Sequence, residues 1–201
     1  MTETIFISVD IESDGPIPGD YSMLSLGACV VGKVDQTFYI EFKPISKQFQ
    51  VEALEVSGLN RLGLERTGVD PIHALRSFES WVKEIAGDTK PIFLANNAGF
   101  DWMFVCWYFW HFLGRNPFGH SSCDIRSYIM GAFGNSWEES SLKKLPISIG
   151  LSAALTHNAL EDALAQAPIL DGVAAEREER IARSNRAAYE RGMPRDVLDM
   201  D

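Results

Sequence analysis

IFISVDI, residues 5–11, followed at once by Glu12, is the stretch on which the reading of this chain turns. It is short, apolar and rich in β-branched residues, the composition of a central strand. At its end stand two acids two positions apart, Asp10 and Glu12. Side chains alternate along a strand, so both carboxyl groups leave the same face. Two acids so placed repel each other unless something positive sits between them. Hard oxygen ligands at this spacing suit Mg²⁺ or Mn²⁺ better than zinc. The plainer reading is that both acids face solvent at a strand end, and the pair alone does not decide between the two.

Outward from this strand, residues 12–22 (ESDGPIPGDYS) form a loop marked by Gly and Pro. MLSLGACVV (23–31) and VDQTFYIEF (34–42), separated by Gly32 and Lys33, predict an antiparallel hairpin, so three strands open the fold. Residues 43–68 hold one or two short helices, interrupted at Gly58 and Gly63. Asp70 followed by Pro71 supplies an N-cap and a first helical residue. Ile72, Leu75, Phe78, Val82 and Ile85 then recur at helical spacing up to Gly87. PIFLA (91–95) is a short buried strand. Asn97 is placed to cap the next helix, which runs to Gly114 and is apolar nearly all round. A short strand (122–125), a short helix (126–133) and a helical turn (140–145) follow. The last helix starts at Asn158, with Pro168 and Gly172 able to kink or break it. Strands first, then helices alternating with strands, predict an α/β fold: a mixed β-sheet flanked by helices.

At 201 residues the chain is most simply one domain. Cys29, Cys106 and Cys123 are odd in number and widely spaced, which fits neither a disulfide framework nor a zinc knuckle. They suit a reducing compartment, and MTETIFISVDIES lacks the pattern of a secretory signal, so a cytoplasmic protein is expected. The most apolar run, 102–112, is too short to span a bilayer, so no membrane partner is expected. A net charge of −10 argues against gripping a long duplex by its phosphates. It leaves room for a nucleic-acid enzyme whose carboxylates hold divalent cations, acting on a short or single-stranded substrate.

Two more stretches carry acids of interest. Asp101, in ANNAGFD, opens the apolar helix; taken alone, it serves the helix dipole. THNALEDALAQA (156–167) combines an N-cap, Asn158, with Glu161 in a capping-box pattern. Asp162 then lies in the first turns and His157 in the loop just before them. Both can lean over one end of the helix, the carboxylate holding a metal while the imidazole reaches a water.

DIESDG (10–15), NNAGFD (96–101) and HNALEDA (157–163) together resemble the three motifs of the DEDDh 3′-to-5′ exonucleases, the DnaQ-like group on a ribonuclease H-like fold. Weaker echoes at 54–59 (LEVSGL), 123–125 (CDI) and 141–145 (SLKKL) extend the similarity over most of 6–169. The chain has Asn96 where the family often has His, and Ser13 where Thr is commoner. Neither position supplies a metal ligand, so these departures bear on substrate preference. The resemblance implies that Asp10, Glu12 and Asp162 hold one metal and that Asp10 bridges to a second supported by Asp101. His157 would take the proton of the attacking water, and the product would be a nucleoside 5′-monophosphate. Ser13 and Gly15 would bring backbone N–H groups near the last nucleotide, and Asn97 would touch it.

The expectation is therefore an exonuclease domain at 1–172 with a charged helical extension at 173–201, where Glu176/Arg180 and Glu179/Arg183 are spaced for i, i+4 pairs. Two Mg²⁺ or Mn²⁺ ions would serve cleavage of single-stranded or short RNA or DNA from 3′ ends, RNA somewhat favoured. Tyr21 and Trp137 are candidates for base stacking. Trp102, Trp107 and Trp110 read as core or as a dimer face, and a homodimer through that helix or the charged tail stays open. His73, His111 and His120 read as structural. Two alternatives stand beside this: a hydrolase of small phosphodiesters or dinucleotides, and a non-catalytic nucleic-acid or protein-binding module on the same fold. A pure binder has no need to crowd carboxylates against phosphate.

Overall fold

A computed structural model describes residues 4–145, 149 and 156–190. Five strands form one sheet: β1 (Thr4–Ser13), β2 (Met23–Val30), β3 (Lys33–Glu41), β4 (Lys90–Ala95) and β5 (Ser122–Asp124), in the order β3-β2-β1-β4-β5. β1, β2 and β3 pair antiparallel, while β4 runs parallel to β1 and to β5. Between and after them come α1 (Val51–Ser57), α2 (Arg61–Thr67), α3 (Pro71–Ala86), α4 (Gly99–Leu113), α5 (Ile125–Phe133) and α6 (Ala159–Glu190). The mixed sheet flanked by helices matches the α/β expectation.

Alternation along β1 divides the protein into two layers. Ile7, Val9 and Ile11 pack with Phe78, Phe104 and Phe109 of α3 and α4. The other face meets α6: the Ser8 hydroxyl donates to the Ala163 carbonyl at 2.8 Å. Phe6, on that face too, joins a smaller cluster built from Leu94, Ile125, Ile129, Ile169 and Val173. Asp10 and Glu12 share the parity of Ser8, so the sheet presents them toward α6.

Several local expectations resolve differently. The hairpin turns at Val31 and Gly32, with Gly32 at φ +76°, one position before the predicted pair. Gly58 does end α1, but Gly63 lies inside α2, where its N–H donates to the Asn60 side chain. Asp70 caps α3 and Pro71 opens it, as the sequence predicts. α6 runs unbroken through Pro168 and Gly172. Proline in a helix interior costs about 3 kcal/mol, and the fully buried Ala163, Ala167, Ile169 and Val173 on the same helix offset it. At Gly172 a Cβ would lie 2.1 Å from the Ile149 carbonyl oxygen, so this glycine serves close packing. Glu176 pairs with Arg180 at 3.0 Å, and Arg183 reaches both Glu176 and Glu179.

Two buried carboxylates, Asp14 and Glu79, anchor α2 and α3 through ion pairs. Asp14 and Arg61 are both buried and bonded at 2.8 Å, and Asp14 also accepts the Ser22 N–H, which fixes the 14–22 loop to α2. Glu79 of α3 takes Arg115 in a fork, both contacts 2.7 Å, and Lys83 at 2.7 Å. The Arg115 bonds, then Lys83, hold the Glu79 carboxyl down at about 2. A carboxyl held below its ordinary value stabilises the fold above the unfolded pKa, and that contribution is lost as pH falls toward 2. Glu79→Gln is expected to cost about 1–3 kcal/mol at pH 7 and roughly half as much at pH 3, read from urea melts. Among the described residues, no helix is long and apolar enough to cross a membrane.

Candidate active site

A cleft of about 570 Å³ opens at the carboxyl ends of the parallel strands β1 and β4. This is where open α/β sheets leave a crevice. Asp10, Glu12, Asp101, Asp162 and His157 all line it, together with Ser13, Gly15 and Asn97. The structure thus brings these eight predicted residues around one space.

The crevice exists because β1 and β4 part company. Their pairing covers Thr4–Ser8 and then stops. Beyond that point β1 needs other partners for its backbone groups, which must be satisfied when buried. Asp101, in the first turn of α4, accepts the Ile11 N–H at 3.1 Å. Gln166 of α6 donates to the Val9 carbonyl at 3.2 Å and accepts the Asn96 N–H at 2.7 Å. It therefore stitches the diverging strands and lies one turn beyond Asp162 on the same helix face. Nothing in the sequence singled out Gln166, since a glutamine inside a helix carries no signal of its own.

Asp162 organises the other wall. One of its oxygens accepts the Thr156 N–H at 2.7 Å and the Thr156 hydroxyl at 3.1 Å, and the other accepts the His157 N–H at 3.0 Å. His157 sits at φ +60°, a left-handed conformation these bonds secure, and its ring is exposed at the rim. Asn158 caps α6 by accepting the Leu160 and Glu161 N–H groups. Its own N–H goes to the Thr156 hydroxyl at 3.4 Å, which takes the place predicted for the Glu161 side chain.

Three expectations around the rim change. Asn97 is not the cap of α4: it lies at φ +54°, and Ala98 takes the cap position with its N–H donated to Asp124 at 2.7 Å. Tyr21 packs over Gly15, where a Cβ would come within 2.0 Å of its ring, and does not line the cleft. Trp137 is exposed but lies outside the cleft lining, with Arg126 4.0 Å above its ring. The aromatic that does line the cleft is Phe100, 42% exposed, with Ala53 and Val56 of α1 among the other lining residues. Phe100 sits between Gly99 and Asp101 in a helix apolar all round, so periodicity does not separate it from core.

The electrostatics fit a cation. Burial, then the charges of Asp101, Glu12 and Asp162, raise the Asp10 carboxyl well above its ordinary range. Burial, then Asp162 and Asp101, push Glu12 up to about 8. Burial also pushes Asp101 up to about 7, against the pull of the Ile11 N–H. Oxygen or nitrogen ligand atoms of Glu12, His157 and Asp162 lie within 4.8 Å of one another. Acids held above their ordinary values bind extra protons in the native state between about pH 4 and 8. The protein in EDTA should therefore lose stability as pH rises across that window. Mn²⁺ should raise the melting temperature more at pH 8 than at pH 6, because ionised carboxylates bind the cation. Thermal melts with and without EDTA check both.

No family profile matches the chain. The 3′-5′ DNA exonuclease Cap18 of Escherichia coli is 40% identical over 166 residues, 82% of this chain and 89% of that protein. Among solved structures, the nuclease domain of 3′hExo, a DEDDh family member bound to rAMP, superposes with a TM-score of 0.65 at 16% identity, over 83% of this chain and 89% of that one. Exonuclease I of E. coli in complex with a dT13 oligonucleotide gives 0.62 at 18% identity, over 92% of this chain and 44% of that one. These two share the ribonuclease H-like fold. With the acids of all three sequence motifs gathered in one cleft and that level of identity to a 3′-5′ exonuclease, the chain belongs to the DEDDh exonuclease family.

Proposed function

We propose that the protein is a metal-dependent 3′-to-5′ exonuclease that removes nucleoside 5′-monophosphates from single-stranded DNA. The observation that carries this is the convergence of four acids and one imidazole on a cleft with an apolar flank. Asp10, Glu12 and Asp162 would hold one Mg²⁺ or Mn²⁺ and Asp10 with Asp101 a second. When bound, such a pair supplies charge to the attacking and leaving oxygens of an in-line displacement. Ala53, Val56 and Phe100 offer faces for the terminal base and sugar. Asn97, in its left-handed turn, and the backbone at Ser13 and Gly15 border the same space. The Ser13 hydroxyl donates to the Gly15 carbonyl at 2.8 Å, which fixes that stretch of backbone. His157, anchored through its N–H to Asp162, accepts the proton of the attacking water from the rim.

DNA replaces the RNA leaning of the sequence because the 40%-identical relative is a DNA exonuclease. The catalytic unit is assigned to 1–172, with 173–201 carried as a charged extension of the same domain, of which the described part up to Glu190 continues α6. The free thiols Cys29, Cys106 and Cys123 support a cytoplasmic setting. 5′-Labelled single-stranded DNA and RNA, incubated with Mg²⁺ or Mn²⁺, test the proposal. A ladder shortened from the 3′ end, stronger on DNA and abolished by EDTA, is expected. No ladder on either strand would overturn the enzymatic reading.

A further inference from the structure

A second cleft, about 540 Å³, shares two walls with the first. The 14–22 loop gives Gly15 and Pro16 to the catalytic cleft and Gly19 to this one. Helix α4 gives Phe100 to the catalytic cleft and Trp107, His111 and Phe112 to the second. At 3.6 residues per turn, Phe100, Trp107 and His111 fall within about 20° of one stripe, and Trp107 and His111 lie about 10 and 16 Å further along the axis.

The Trp107 and His111 rings are stacked, centroids 4.3 Å apart and 9° from parallel. Trp107 is held in place: a Cβ on Gly19 would lie 3.1 Å from its ring, and Tyr108 and Phe112 meet it at 5.4 and 6.1 Å. His111 is exposed. The indole thus backs an imidazole that still has an exposed surface. Among the described residues, Lys43 is the one lysine or arginine lining the cleft, and the acid there, Asp70, is engaged in capping α3.

We propose that this cleft is a base-stacking subsite for the single strand 5′ of the terminal nucleotide. The base continues the Trp107–His111 stack, and Lys43 meets a neighbouring phosphate. The proposal rests on the nuclease reading above and adds where the rest of the strand lies. At about 3.4 Å per stacked nucleotide, the distance along α4 corresponds to about three to five nucleotides. Stacking suits this protein because its net charge of −10 offers a long strand little phosphate attraction.

Fluorescence anisotropy of 5′-labelled dT8 and dT2 in EDTA, where cleavage does not compete, tests the subsite. Wild type should bind dT8 more tightly than dT2. His111→Ala, at an exposed position, should weaken dT8 binding about tenfold or more and leave dT2 unchanged. His111→Phe should restore dT8 binding, and Trp107→Leu should mimic the alanine variant. Equal dT8 affinity in wild type, His111→Ala and Trp107→Leu would overturn the subsite, as would no dT8 binding by wild type. Loss of the Mg²⁺-dependent ladder is read separately and bears on the catalytic proposal alone.

Discussion

Asp10→Asn is expected to stop nucleotide release and, in the same protein, to raise the melting temperature measured in EDTA. Asp10 is the acid closest to all the others in effect: burial and the charges of Asp101, Glu12 and Asp162 oppose its ionisation. Without a cation the wild-type fold therefore holds a group it would be more stable without. An amide of the same shape removes the charge and keeps the volume. The gain should be about 1 kcal/mol, or about 2–4 °C in a chain of this length, and larger at pH 8 than at pH 6. The loss in kcat should be about 10³-fold or more, because several kcal/mol of charge stabilisation go with the cation and each 1.4 kcal/mol is tenfold. The stabilisation by Mn²⁺ should shrink with it. Melts with and without EDTA, run beside the ladder assay, give both readouts. A variant that melts below wild type in EDTA would mean Asp10 acts as a structural group, and the two-cation proposal would lose its centre.

The parts of this site that could be read from sequence are those governed by local rules. The β-branched run ending at Asp10 and Glu12 fixes a central strand and the shared face of the two acids. Asp70-Pro71 and the apolar spacing after it fix α3. Asp101, Asp162 and His157 were legible through their order and motif context, since no local rule brings positions so distant in the chain together. What escaped depends on partners far along the chain. Cap statistics favour Asn97, yet Asp124 supplies the carboxylate for the Ala98 N–H, leaving Asn97 to the left-handed turn that asparagine tolerates. Pro168 reads as a break because its cost is local, whereas the burial that offsets it belongs to the whole face of α6 on the sheet. Trp107 reads as core until the Gly19 loop is seen to leave it lining a cleft.

Gly27 is the clearest case of a residue invisible in sequence and decisive in structure, and Gly27→Ala should lower kcat about a hundredfold. In the β1–β2 register Gly27 lies directly opposite Asp10. A Cβ there would sit 2.2 Å from the Leu160 nitrogen, 2.3 Å from the Ala159 carbonyl carbon and 2.4 Å from its oxygen. All three are backbone atoms at the start of α6, so no side chain can swing aside to make room. The helix must back away by about 1 Å to reach ordinary contact, and a shift of that size in a catalytic constellation can cost about 10²-fold. Asp162 and His157 move with the helix, while Asp10 and Glu12 stay on the strand, so the acids that the proposed cations would join change their separation. Overpacking should also cost about 1–3 kcal/mol. Gly172→Ala separates position from stability: its Cβ would lie 2.1 Å from the Ile149 oxygen, a comparable clash farther down the same helix. The two variants should lose similar amounts in melting temperature, yet only Gly27→Ala should lose Mn²⁺ affinity and kcat. Equal kcat in both would show that the close approach at Gly27 serves packing and does not place the acids.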